Sequence, residues 1–444
     1  MRSSACLPAH FVKLIFAGTT QVEQTLITKD NWRRIFKNQL QQHPWLFAFN
    51  CTAYSLAGVG AVFLGVLLAV KMRWTNVEGE IDQFDPEFNA TQIMLNNYQT
   101  QVLGATTESA RLETNGTILS DEQELQQIYA QAAAQKEKIA LQQQNLCALK
   151  ILNKFYPVNV KNILQQYQQT ANTGLVTKMI TALKSSLTIN QDNWQAELDT
   201  CLDNFNAQML NEEILLDQAQ TAAQNQAQSA FIWQDQEQWP VLQEAIAKDA
   251  EKIQQAAAIT GVDARLITSC LIGEQVRLFN SQRELFKQFF SPMKILANSN
   301  TISLGTMGIK PSTASEIEAH LKDKNSPYYL GEEYEHLLDF KTSDVGNERY
   351  ARLTDKNNQF YSYLYAGLYL KQFITQWRAA GFPIDDRPEI LVTLYNVGFP
   401  QSEPNATPKV GGSKINLFNQ TYSFGRLGYE FYYSGALTNL FPLN

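Results

Sequence analysis

At 444 residues the chain exceeds one compact domain, and two or three units are expected. Hydrophobic residues make up 44% and charged residues 18%, enough for a sizeable core. A net charge of -7 disfavours nucleic acid as the main partner, because neutralising phosphates needs a basic surface. His10, His43, His320 and His336 are scattered and read as surface or loop residues. The five cysteines form no CxxC and the histidines no HExxH, so neither a metal site nor a cofactor is expected.

The first organised element is apolar. From Trp45 to Val70 the chain reads WLFAFNCTAYSLAGVGAVFLGVLLAV, with no charged side chain. As a helix this run is about 39 Å long, enough to cross a hydrocarbon core of about 30 Å with some tilt. Its length and the 44 residues before it set it apart from a cleavable signal peptide. Residues 1–44 carry Arg2, Lys13, Lys29, Arg33, Arg34 and Lys37 against only Glu23 and Asp30, whereas the chain beyond Arg73 turns acidic. The positive-inside rule therefore predicts a cytoplasmic segment over 1–44, a single transmembrane helix over 45–70, and the bulk of the protein outside.

Residues 71–118 mix polar and apolar residues with turn formers such as Asn115-Gly116, and read as a linker or small subdomain with a strand or two. From 119 to 238 the composition shifts to Gln, Ala, Leu, Asn and Glu. Ser120 and Gln123 have capping-box spacing. Leu125, Ile128, Ala132 and Ile139, and later Leu210, Ile214, Leu215 and Ala219, recur at helical spacing. This predicts a Gln-rich helical stalk or bundle, a spacer or a docking site for partner proteins. Outside the membrane Cys147, Cys201 and Cys270 can be oxidised; three thiols allow at most one bridge, with Cys147–Cys201 the preferred pair.

The chemistry is expected in residues 239–444. QEAIAKDAEKIQQAAAITGVDARLITSCLIGEQVRLF reads as two helices around a turn, with Gly261 ending the first and Asp263 capping the second. Glu274 shares a face with Ile267, Cys270, Leu271 and Leu278. Apolar surroundings disfavour the ionised carboxylate, the condition a general acid needs. Arg277, three residues on, offers the opposing reading of a surface ion pair. The aromatic residues Tyr422, Phe424, Tyr429, Phe431, Tyr432 and Tyr433 either form a glycan platform or, the preferred reading, pack the closing segment. Pro404 and Gly411-Gly412 mark a loop before it.

Four segments in this order carry a resemblance. They are AAAITGVDARLITSC leading to Glu274; Ser303-Leu304-Gly305 through Pro311-Ser312-Thr313-Ala314; Gly367-Leu368-Tyr369-Leu370; and Tyr395-Asn396-Val397-Gly398. Together they resemble the lytic transglycosylases of the soluble, lysozyme-like type, over about residues 240–400. The resemblance implies a mainly α protein whose C-terminal part is a lysozyme-like α domain. It implies a peptidoglycan-cleaving enzyme with Glu274 as acid/base residue and Ser303, Gly305, Met307, Tyr395 and Asn396 lining the sugar groove. It also implies a bacterial inner-membrane protein with its bulk in the periplasm, glycan strands as substrate, and envelope or secretion-system proteins as further partners. Gln275 stands where the family has Ser, and Gly308 where its loop has Gln. Both departures favour the alternative, a peptidoglycan-binding scaffold without turnover.

Overall fold

Pro157, Pro240, Pro311 and Pro388 each stand in the first turn of a helix, where a missing N–H breaks no hydrogen bond. Asn172 and Asn211 open two others, their side chains accepting from the backbone N–H of Leu175 and Ile214 at 3.0 Å. A computed structural model describes residues 81–82, 88, 121–186, 191–279, 304–418 and 420–443. Twelve α-helices lie among them, so the protein is mainly α, as expected. The expected membrane helix at 45–70, the cytoplasmic segment, most of 71–118, the Ser120 cap and Ser303 lie outside the described residues. Among the described residues no helix is long and apolar enough to cross a membrane.

The first five helices form a bundle: α1 (Asp121–Asn153), α2 (Pro157–Thr170), α3 (Thr173–Ser185), α4 (Gln191–Asp203) and α5 (Glu212–Asn225). Leu210, Leu215 and Ala219 are buried, as their spacing predicts, but Ile139 is 47% exposed. The reason is that α1 enters the core only near its C-terminal end, where Leu146, Cys147, Leu149 and Leu152 are buried. Cys147 and Cys201 form the preferred disulfide, tying α1 to α4 with a Cα–Cα distance of 5.8 Å, and Cys270 remains a buried free thiol.

Beyond the bundle run α6 (Trp239–Thr260), α7 (Ala264–Phe279), α8 (Pro311–Lys322), α9 (Val345–Thr354), α10 (Phe360–Ala379), α11 (Pro388–Val397) and α12 (Phe424–Tyr433). Gly261 ends α6 in the left-handed conformation, its N–H bonded to Ala257 O, and Asp263 Oδ1 accepts from Arg265 N at the start of α7. Both caps match the sequence reading. The segment after Gly411 is not a plain loop. Strands β2 (Gly412–Leu417) and β3 (Gln420–Ser423) pair antiparallel, with Ile415 opposite Tyr422, and β1 (Ile81–Asp82) adds to the free edge of β2. Tyr422, Phe424, Tyr429, Phe431 and Tyr433 are buried, so these rings pack the closing segment and offer no glycan platform.

Bundle and C-terminal helices share one hydrophobic core, and all described residues fall in one compact unit, Arg73–Asn444. Polar contacts cross the junction expected at 238/239. The buried Trp233 donates its Nε1–H to Glu430 at 3.2 Å, and Arg426 donates to Ser185 O at 2.9 Å. The Gln-rich helices are therefore built into the body that carries Glu274.

Candidate active site

Glu274 projects from the second half of α7, a helix buried along nearly its whole length because it packs between α6, α11 and α12. Its residue surface is only 4% exposed. The expected removal from water is observed, and so is the opposing contact. Arg277 Nη2 pairs with Glu274 Oε2; the carboxylate end of the pair is buried, and the Arg277 side chain is 18% exposed.

A tight hairpin stands against the carboxylate. Leu304 N donates to Ile309 O at 2.8 Å, and Gly305 and Gly308 turn the chain with φ of +65° and +64°. At Gly308 a Cβ would lie 2.3 Å from Glu274 Oε2 and 2.6 Å from Cδ, so the bare α-carbon is what admits the carboxylate. At Gly305 a Cβ would meet Leu353 O at 1.9 Å. Two side chains pin this hairpin. Gln275 Nε2 donates to Thr306 O and the Tyr395 hydroxyl donates to Met307 O, each at 2.7 Å.

The predicted site residues thus take distinct places. Glu274, Gly305, Met307 and Tyr395 converge on one locus from α7, the hairpin and α11. Met307 is fully enclosed and contributes its carbonyl, and the Tyr395 ring faces inward to Tyr369, 5.5 Å away between centroids. Asn396 is partly exposed, and its Oδ1 accepts from Ser413 N at 2.7 Å and Ser413 Oγ at 2.9 Å, fixing the start of β2. The structural roles of Gln275 and Gly308 escape the sequence reading, which registers them only as departures from a pattern. The i,i+3 spacing of Arg277 is the one signal that anticipates a partner for Glu274.

Burial raises the Tyr395 hydroxyl well above the ordinary phenol range, reinforced by Cys270 and Glu274, so it stays a proton donor. Burial, then the charge of Glu274, likewise raises the Cys270 thiol, which is therefore no nucleophile. Among the described residues no group of His, Cys, Asp and Glu could hold a metal ion. A cavity of about 580 Å³ lies elsewhere, between α3 and the N-terminal end of α7, bordered by Lys178, Asp263, Asp386 and Tyr433. None of the predicted site residues lines it. Comparison with protein-family models, curated proteins and solved structures found no match to this chain.

Proposed function

We propose that the chain is a peptidoglycan lytic transglycosylase, anchored in a bacterial inner membrane by residues 45–70, with Glu274 as its single acid/base residue in a lysozyme-like α domain. The observation that carries this reading is convergence. Three of the resembling segments meet around one buried carboxylate, through Glu274, through the Gly305–Gly308 hairpin and through Tyr395. The fourth stands directly behind, with the Tyr369 ring tilted against that of Tyr395.

In this reading the Glu274 carboxyl gives its proton to the glycosidic oxygen as the bond to muramic acid breaks. The resulting carboxylate then takes the proton of the muramic acid 6-hydroxyl while that oxygen closes onto the anomeric carbon. Glu274 ends protonated, as it began, and the product carries a 1,6-anhydro ring. The substrate hydroxyl replaces the second carboxylate that most glycosidases need. Gly305, Gly308, Met307, Gln275 and Tyr395 position the hairpin against the carboxylate. Asn396, which is partly exposed, and Ser303 are the candidates to meet sugar.

The test is incubation of the full-length chain in detergent with purified sacculi. Soluble anhydro-muropeptides are expected, falling by about 10²- to 10⁴-fold in Glu274→Gln, the scale of general acid–base catalysis. Hydrolysed, non-anhydro ends would overturn the reading. One observation favours a second reading. A carboxylate already paired with Arg277 suits a wall-binding scaffold that keeps the site without turnover. Sacculus binding with no soluble product, equal in the wild type and Glu274→Gln, would select it.

A further inference from the structure

Arg277 is placed unlike a helper of a general acid. It binds Glu274 through Nη2, and its Nε is out of water with no hydrogen-bond partner among the described residues. A buried donor left unpaired is unfavourable by about 1–3 kcal/mol and calls for a reason. The guanidinium has five N–H groups in a planar fork that fits a carboxylate through two parallel bonds, and this pair leaves part of that fork unused.

The pair also sets a condition on chemistry. A glutamate held as a carboxylate has no proton to give a glycosidic oxygen. Simple withdrawal of Arg277 would leave a buried charge without compensation, which is strongly unfavourable. An incoming anion removes that obstacle, because it replaces one carboxylate on the guanidinium with another. Among the described residues, Cys270 on α7, Tyr395 on α11 and Tyr369 behind it on α10 are neutral groups beside the site, each held protonated by burial.

Resting on the reading above, we propose that Arg277 is the specificity residue of the site: a carboxylate on the glycan takes its guanidinium from Glu274, and Glu274 then takes up a proton from water. One ion pair breaks and one forms, and one proton passes from solvent to Glu274. The ligand class is an N-acetylated amino sugar bearing a carboxylate. An uncharged sugar of the same size leaves Glu274 paired and the acid step without its proton.

The test reads protonation directly. In infrared difference spectra of the full-length chain in detergent, the protonated carboxyl band of Glu274 is the one missing in Glu274→Gln. At fixed neutral pH that band is expected to grow severalfold when N-acetylmuramic acid or muramyl dipeptide is added, and to stay unchanged with N-acetylglucosamine. Growth with the free acid alone assigns the role to the lactyl carboxylate, and growth with the dipeptide alone assigns it to the peptide carboxylates. In Arg277→Gln the band is expected before any addition and without further response. Arg277→Lys, which keeps a charge but loses the fork, serves if the first variant does not fold, and its response is expected to be weaker by about tenfold. A band that responds to neither carboxylated ligand, or responds equally without Arg277, overturns the proposal. Sacculus turnover with no such response would retain the transglycosylase and discard the role of Arg277. The response without turnover would do the reverse.

Discussion

The α-carbon of Gly308 and the carboxylate of Glu274 occupy adjoining space with no room for a methyl group between them: a Cβ at 308 would overlap Oε2 at 2.3 Å. Gly308→Ala therefore carries two penalties, a left-handed backbone costing about 1–3 kcal/mol and a displaced acid. Gly305→Ala meets the Leu353 carbonyl, a backbone atom that cannot swing aside, and is expected to lose more stability. The two alanine variants should separate. In thermal denaturation Gly305→Ala melts lower, whereas on the proposed function Gly308→Ala, among the folded fraction, loses at least tenfold more anhydro-product formation. Wild-type turnover in Gly308→Ala would remove the carboxylate from the chemistry.

Arg265 is the buried fastening of the C-terminal segment. Fully enclosed, it donates to Phe431 O at 3.0 Å, Tyr432 O at 2.6 Å, Ala436 O at 2.8 Å and Phe441 O at 3.0 Å, so it holds the last turn of α12 and the chain beyond it together. Burial brings its pKa down to about 10, with Tyr432 and Asp263 opposing, so it remains charged at neutral pH. Arg265→Met strands the carbonyls of Tyr432, Ala436 and Phe441 and is expected to reduce stability by about 3–5 kcal/mol in urea titration. Protease should then cut first within 434–443. Unchanged stability would mean that other contacts hold the segment.

The Cys147–Cys201 bridge closes a loop with a sequence separation of 54. Restricting an unfolded loop of that size contributes about 4 kcal/mol on the chain-entropy scale. Reductant should lower the unfolding midpoint of the wild type to near that of Cys201→Ser, while leaving the variant itself unmoved. Because α4 is held to α1 through this bond, the loss should concentrate in the bundle, visible as faster amide exchange there than in α7 or α10.

What could be read from the sequence follows the range of the forces involved. The turn between α6 and α7 is legible because Gly261 and Asp263 act on backbone atoms two to four residues away. Glu274 is legible because its apolar neighbours lie on its own helix. The Arg277 pair shows at i,i+3, but the closing of Gly308 over the Glu274 carboxylate does not, since the hairpin is distant in sequence. Strand β2 hides in Gly412–Leu417 because only part of its length alternates between buried and exposed, and its register depends on partners in β1 and β3. The Gln-rich helices read equally as a stalk or a bundle for a related reason. Helical periodicity gives an apolar stripe but not its partner, and here the bundle meets Arg426 and Glu430, over 190 residues beyond Trp233.

His320 supplies a pH dependence away from the proposed chemistry. On α8, within a helix rather than on a loop, its ring packs against Tyr328 and Phe399, each centroid 4.7 Å away, and Nδ1 meets Ser326 Oγ at 2.8 Å. Burial lowers its pKa from 6.5, and the negative charge of Asp323 opposes this only in part. The folded protein then binds the proton at lower pH than the unfolded chain does. Between the folded value and 6.5 the unfolded state carries more protons, so stability rises with pH through that window. The contribution is fully present above about 6.5 and is lost as the solution is acidified. Urea midpoints measured from pH 7.5 downward should fall more steeply in the wild type than in His320→Gln, which has no charge to gain. Parallel slopes for the two proteins would show that protonation of this ring is not coupled to folding.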